Sequence, residues 1–371
     1  MGSDLRYWIG FNLVSQIGPA KVERLIEYFG NLETAWNANP FDLVRAGLDK
    51  RALENLTTTR KTLDLPAEID KAQRACDLIL TWDDPAYPRR LRQIPHAPSV
   101  LYIKGKLAPE DEWSIGVVGT RQASTYGKEV ARQFVADLVR NQLTIVSGLA
   151  RGIDAEAHRM AIEKGGRTLA ILGNGIDVVY PPEHIKLSHD IIEHGALITE
   201  YPVGAKPDAM NFPARNRIIS GWSLGVLLIE GDETSGAMIT ADFALEQDRE
   251  VFAVPGNIYH RQARGPNKLI RESRAKLVTK VEDILEELNL TLVAEQAEAR
   301  AIVPENPTEA TLLKLLSSDP VHIDELRQQS GLAIAEVSST LTLMELKGIV
   351  RQVGGMNYVI AREAGTGYAG D

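Results

Sequence analysis

A single cysteine, Cys76, in 371 residues leaves no partner for a disulfide and no thiol set for zinc or an iron–sulfur cluster. Basic residues are not in excess. Lys and Arg number 41 against 50 Asp and Glu, a net charge of −9, which excludes a wholly basic nucleic-acid binder but leaves room for a local basic face. No apolar run approaches the ~18 residues that span a bilayer. The first residues carry no signal-peptide core, and Arg6 stands where a myristoylation signal requires Ser or Thr. The seven histidines form no H-E-x-x-H or other close ligand pair. Apolar residues at 44% and charged residues at 25% exclude a disordered chain. The expectation is a protein of the reducing cytoplasm, in two or three domains, with no membrane partner.

Residues 1–64 read as short helices with balanced charge and no strand alternation. Within them Leu13 to Leu25 reads as helix, Gly18-Pro19 turn, helix. Gly18 is free to take a positive φ there, and Pro19 suits a first helical position. Two readings fit: a helix-hairpin-helix whose turn amides meet a phosphate, or a small packing module of the same shape.

Beyond Ser114 the rhythm changes. Apolar runs begin near Ile115, Leu143, Thr168, Ala196, Leu224 and Glu250, 25 to 28 residues apart. Each is followed by glycines and then a helical pattern such as Ala131, Phe134, Val135, Leu138 and Val139. Repeated βα units of this length predict a Rossmann-like, doubly wound parallel sheet over residues 65–290. Residues 281–309 then hold eight acidic side chains against Arg300 alone, and 291–307 reads as an acidic linker. Three helical stretches (308–317, 322–329, 333–347) and a hairpin around Gly354-Gly355 predict a winged helix over 308–362, with 363–371 as a tail.

In doubly wound sheets ligands bind at the carboxyl ends of the strands. Five segments expected at that rim are rich in glycine and small polar residues: Gly119 to Gly127, Ser147 to Asp154, Gly173 to Asp177, Phe212 to Arg217, and Thr234 to Ala237. Glycine lets backbone amides approach an anion, and Arg121, Arg215 and Arg217 bring permanent charge. The expectation is a phosphate-binding groove. Residues 258–280 add seven basic side chains against Glu272, and 115–151 five against two, a segregation suited to a polyanion track.

The recognised catalytic patterns are missing. Gly116-Val117-Val118-Gly119-Thr120 replaces the dinucleotide fingerprint, Gly127-Lys128 is followed by Glu129 rather than Ser or Thr, and Ile145 breaks a G-x-S-x-G elbow at Ser147. Asp154 and His158, four apart, read as a helix-capping acid and a packed imidazole more readily than as a metal pair. Nothing pairs a nucleophile with a base, so no catalytic residue, metal or cofactor is expected.

The series Val118-Gly119-Thr120-Arg121, Ser147 to Asp154, Ala157-His158, Gly173-Asn174-Gly175-Ile176-Asp177, Tyr180-Pro181, Glu200-Tyr201-Pro202, Phe212 to Gly221, Ser235-Gly236 and Val251 to Gly256 closely resembles the DNA-processing protein A (DprA/Smf) family. The resemblance covers roughly residues 5–290 and the terminal winged helix. It implies an N-terminal small helical (SAM/helix-hairpin-helix-like) domain and a cytoplasmic, non-enzymatic protein binding single-stranded DNA. It further implies a homodimer formed through the Rossmann-like domain, protection of incoming DNA, and loading of the RecA recombinase during natural transformation. By motif, the DNA-binding positions would be Gly119, Arg121, Ser147, Gly148, Phe212, Arg215, Asn216, Arg217 and Gly236, with Phe212 stacking on a base. Many family members place a lysine after Tyr-Pro. Here Pro182 follows Pro181, and Lys186 is the nearest basic residue for that contact. The winged helix is acidic, with five basic residues against seven acids between Glu305 and Arg362, which favours a partner-binding or weak DNA role. Two other readings remain: a nucleoside-monophosphate phosphoribohydrolase, whose Pro-Gly-Gly-x-Gly-Thr loop is not matched here, and a winged-helix transcription regulator.

Overall fold

The computed structural model describes residues 4–290, 306–316, 321–346, 350–352 and 356–360. The six apolar runs form strands on the predicted rhythm: β3 (Ser114–Val118), β4 (Thr144–Ser147), β5 (Thr168–Ile171), β6 (Gly195–Thr199), β7 (Gly225–Leu228) and β8 (Glu250–Ala253). Three strands extend the sheet beyond that expectation: β1 (Leu78–Thr81), β2 (Val100–Gly105) and β9 (Lys276–Leu277). In space the order is β1-β2-β6-β5-β4-β3-β7-β8-β9. β3 to β9 run parallel, whereas β2 pairs antiparallel with β6, and β1 with β2. The fold is therefore a doubly wound α/β sheet. The chain winds outward from β3 to β6, then returns to lay β7 on the other side of β3, so the topological switch point falls between β3 and β7.

Every residue of β3 to β7 is buried, as apolar strands covered on both faces must be. The cover comes from α7 (Arg89–Arg92), α8 (Thr125–Arg140), α9 (Ile153–Glu163), α10 (Ile185–His194), α11 (Asn211–Trp222), α12 (Gly236–Glu246), α13 (Arg264–Arg271) and α14 (Glu282–Glu287). One face buries Leu80, Ile171, Ile198, Ile219, Trp222 and Leu228 together.

The N-terminal residues fold into α1 (Leu5–Leu13), α2 (Pro19–Phe29), α3 (Leu32–Asn37), α4 (Pro40–Arg45), α5 (Lys50–Thr62) and α6 (Leu65–Ala75). Pro19 occupies the first turn of α2 as expected. Gly18 does not use its left-handed freedom: it is an extended N-cap at φ −94, and the positive φ of the turn falls on Gln16. These helices share one buried cluster with the sheet, where Trp8, Phe11 and Trp36 meet Val100, Tyr102 and Leu197. Asn12 of α1 accepts from the Tyr102 hydroxyl at 3.0 Å and donates to the Glu200 carbonyl at 3.2 Å. The first compact unit thus runs to Leu288.

The second unit contains α15 (Pro307–Leu315), α16 (Ile323–Ser330) and α17 (Ile334–Leu346), with β10 (Val321–His322), β11 (Val350–Gln352) and β12 (Asn357–Ile360) in the order β10-β12-β11. Leu312, Leu326, Val337, Leu341, Met344 and Tyr358 form its core. This is a winged helix. Gly354-Gly355, Lys347, most of the expected linker and the expected tail lie outside the described residues.

Candidate nucleic-acid interface

Where β3 and β7 diverge at the switch point, the loops at their carboxyl ends part around a cavity of about 690 Å³. Its walls come from Gly119 to Gln122 after β3, Asp154 and Ala150 after β4, Tyr180, Phe212 to Asn216 on α11, and Asp232 to Ala237 leading into α12.

Two backbone hydrogen bonds hold the β3 loop. The Thr120 amide donates to the Glu230 carbonyl at 2.7 Å, and the Thr120 carbonyl accepts from the Ile153 amide at 3.2 Å. Gly152 lies beneath it at φ +77, and a Cβ there would come within 2.2 Å of the Thr120 carbonyl oxygen. Only glycine fits that position.

The loop presents Arg121 at the surface. Its guanidinium carbon lies 5.6 Å from the centre of the Phe212 ring, a cation–π arrangement. Among the described residues it makes no ion pair or side-chain hydrogen bond, so its charge is available to an anion. Phe212 is itself stacked on Tyr180, with ring centres 5.4 Å apart and planes inclined by 29°. The cavity wall is therefore a two-ring aromatic ledge with an uncommitted cation beside it.

Arg215 is built differently. It is 4% exposed, its Nη1 donates to the carbonyls of Gly148 (2.9 Å) and Ile171, and its Nε donates to Asn216 Oδ1 at 3.2 Å. Beside it Asp154, 6% exposed, accepts the amides of Gly148 at 3.1 Å and Ala150 at 3.4 Å through Oδ2. Burial pushes the Arg215 pKa down to about 10, which keeps it charged at neutral pH, and raises that of Asp154 against the pull of Arg215. Arg215 therefore forms the cavity floor and staples β4 to β5 through their end carbonyls.

Six of the ten residues expected to touch DNA line this cavity: Gly119, Arg121, Phe212, Arg215, Asn216 and Gly236. Four do not. Ser147 is buried and donates to the Val117 carbonyl at 2.7 Å. Gly148 lies behind Arg215. Lys186 is exposed on α10, away from the cavity lining. Arg217 turns to Glu200, its Nη1 and Nη2 meeting the two carboxylate oxygens at 2.5 and 2.6 Å, and it donates to the carbonyls of Ala214 and His96 as well. Its motif position is met, but its side chain fixes the loops under the site.

Tyr180 was named in the sequence without a role, and Gln122, Thr234 and Arg261, which also line the cavity, were placed in the rim segments and the basic run but not among the ten DNA-binding positions. The basic run at 258–280 is largely neutralised by acids from other elements. Arg261 meets Asp232 at 2.7 Å, Lys268 meets Glu233 at 3.1 Å, Arg274 meets Asp242 at 2.6 Å and Lys276 meets Glu287 at 2.5 Å. His158 is packed as expected. Its Nδ1 lies 2.7 Å from Thr168 Oγ1, which donates to the Ile145 carbonyl, so Nδ1 carries the proton and Nε2 is left without a partner. Burial lowers its pKa to about 3. Asp154 sits inside the first turn of α9, whose N-cap is Gly152. Among the described residues no cluster of His, Cys, Asp and Glu could hold a metal ion, and no helix is long and apolar enough to cross a membrane.

Sheet topology and cavity together define a Rossmann-like α/β protein whose switch-point crevice pairs an aromatic ledge with arginine. Residues 78–289 match the family model described as DNA recombination-mediator protein A, and residues 296–356 match the DprA winged helix domain. The chain belongs to the DNA recombination-mediator protein A (DprA/Smf) family. It is 35% identical to Protein Smf of Synechocystis over 393 residues, covering 96% of this chain and 98% of that protein. The crystal structure of DNA processing protein A from Streptococcus pneumoniae superposes with a TM-score of 0.69 at 34% identity, covering 77% of this chain and 99% of that one. DNA processing protein A from Helicobacter pylori, whose structure is described in terms of its single-stranded DNA binding mode, gives a TM-score of 0.53 at 25% identity, covering 58% and 98%.

Proposed function

We propose that this protein binds single-stranded DNA in the switch-point cavity and acts as a recombination mediator. One observation carries the reading: Arg121, without an ion-pair partner among the described residues, stands beside the stacked Tyr180–Phe212 pair. Phosphate needs a cation that is not already neutralised, and an unpaired base offers a π-face for an aromatic ledge. A duplex buries its base faces in its own stack, so this combination favours single strands and tolerates any sequence. The family membership and the H. pylori relative's described DNA binding point the same way. The DNA contacts would come from Gly119, Arg121, Phe212, Asn216 and Gly236 at the rim, with Arg215 at the floor.

The finer role follows the family. It comprises protection of incoming DNA, loading of the RecA recombinase during natural transformation, homodimerisation through the Rossmann-like domain, and a cytoplasmic location. The reading is of a binding protein without a covalent step. Asp154, the acid in the cavity floor, is held by the Gly148 and Ala150 amides, an arrangement suited to shaping a loop. Fluorescence anisotropy with oligo(dT) and with a duplex across a salt series tests the binding. Preference for the single strand with steep weakening in salt is expected, whereas tight, salt-insensitive binding of a duplex would refute it. Recombinase filament assembly on single strands, with and without the protein, tests the loading role.

A further inference from the structure

Glu230 stands two residues beyond the end of β7 and is 6% exposed. An acid buried beside a site for a polyanion needs a reason, because its charge opposes the ligand. Its bonds supply one. Glu230 Oε2 accepts the Ser124 amide at 2.9 Å, and Oε1 accepts the Ser124 hydroxyl at 2.6 Å. The same Ser124 hydroxyl accepts the Gly127 amide at 3.0 Å and so caps α8. The Glu230 carbonyl takes the Thr120 amide at 2.7 Å. Glu230 thus grips both ends of the segment 120–124, and Arg121 is carried between them. Gly127 completes the arrangement: a Cβ there would come within 2.1 Å of Glu230 Oε2, so the side chain lies in the space glycine leaves.

We infer that Glu230 is a positioning residue for DNA binding: its carboxylate holds the Ser124 end of the loop whose Thr120 end its carbonyl holds, and so keeps Arg121 over the Phe212 ring, where phosphate is met. This rests on the proposal that the cavity binds single-stranded DNA. Asp232, two residues after Glu230, begins the opposite wall of the cavity. The clamp therefore sets the spacing between the cation and that wall as well as the loop's shape. The carboxylate's charge is not what DNA binding uses. Its two acceptor atoms are.

That distinction fixes the experiment. If Glu230 acted on DNA only through its charge, removing the charge would strengthen binding. As a clamp, Glu230→Ala should weaken it, because the Ser124 amide and hydroxyl lose their acceptors and Arg121 is released. Glu230→Gln keeps one carbonyl oxygen for the Ser124 amide and an NH₂ able to donate to Ser124 Oγ, so it should restore binding. Anisotropy with oligo(dT) on the full chain should show at least about a fivefold loss for Glu230→Ala and a change within about twofold for Glu230→Gln, read through the affinity relation. Gly127→Ala supplies an independent variant. Helix propensity alone favours Ala there, yet its methyl would displace the Glu230 carboxylate and should lower affinity too.

A double-mutant cycle with Arg121→Ala separates positioning from general damage. In the Arg121→Ala background, Glu230→Ala should cause no further loss, while thermal melts confirm that each variant is folded. Glu230→Ala binding as tightly as the wild type or tighter would overturn the inference, as would losses that multiply independently with Arg121→Ala. If Arg121→Ala alone leaves oligo(dT) binding intact, the cavity reading itself falls, and that outcome is told apart by the single variant.

Discussion

Arg215 and Arg121 line the same cavity, but their loss should read out in opposite assays. Replacing Arg215 by Ala removes a guanidinium that is 4% exposed and bonded to the Gly148 and Ile171 carbonyls. It also leaves Asp154, 6% exposed, without its neighbouring cation. Removing one member of a buried charge pair costs about 3–5 kcal/mol, and the lost bonds to two buried carbonyls belong to the same penalty and are not added to it. At about 2–4 °C per kcal/mol for a large domain, the melting midpoint should fall by roughly 6–20 °C. Arg121, exposed and without an ion pair among the described residues, should leave the midpoint within about 2 °C when replaced by Ala, since surface changes of this kind stay near ±0.5 kcal/mol. Its loss should instead weaken oligo(dT) binding and flatten the salt dependence by roughly one phosphate contact. Circular-dichroism melts beside anisotropy on both variants decide the matter. An Arg215→Ala protein that melts like the wild type but no longer binds DNA would refute the stapling role assigned to that side chain.

Arg217→Ala should lower stability by roughly 2 kcal/mol, below the fully buried range because the ion pair with Glu200 still touches solvent, and should keep most single-strand affinity; a melt and a titration check both. The neutral His158 makes stability sensitive to acid. Its folded pKa of about 3 lies below that of the unfolded chain, so nothing is lost above about pH 6.5, and on acidification from there towards pH 3 the unfolded state gains protons that the folded state refuses. At pH 5 this amounts to about 2 kcal/mol, and denaturant titrations at pH 7 and 5 should show His158→Asn removing that share of the loss. Truncation after Leu290 should leave oligo(dT) binding within about threefold, under ~1 kcal/mol, because α17 contains no Lys or Arg; a tenfold loss for single or double strands would give the winged helix a direct DNA role.

The sequence alone determined the sheet and the rim. Largely apolar strands spaced 25–28 residues apart, each followed by a glycine-rich loop and a helical stripe, admit one economical arrangement, because period and burial are local properties of the chain. The motif series was equally local, and it brought the reading to the right family. Which arginine faces a ligand was decided only in three dimensions. Arg121, Arg215 and Arg217 look alike in a string, yet one is exposed, one bonds the end carbonyls of β4 and β5, and one closes on Glu200. The basic run at 258–280 likewise lost much of its apparent field to Asp232, Glu233, Asp242 and Glu287, which stand elsewhere in the chain. Glu230 and Gly127, 103 positions apart, show no pairing in the sequence; the sheet makes them neighbours by laying β7 beside β3. Charge is additive along a chain but pairs through space, so the sequence determined the elements and their rim, and the tertiary structure decided which charges remain for DNA.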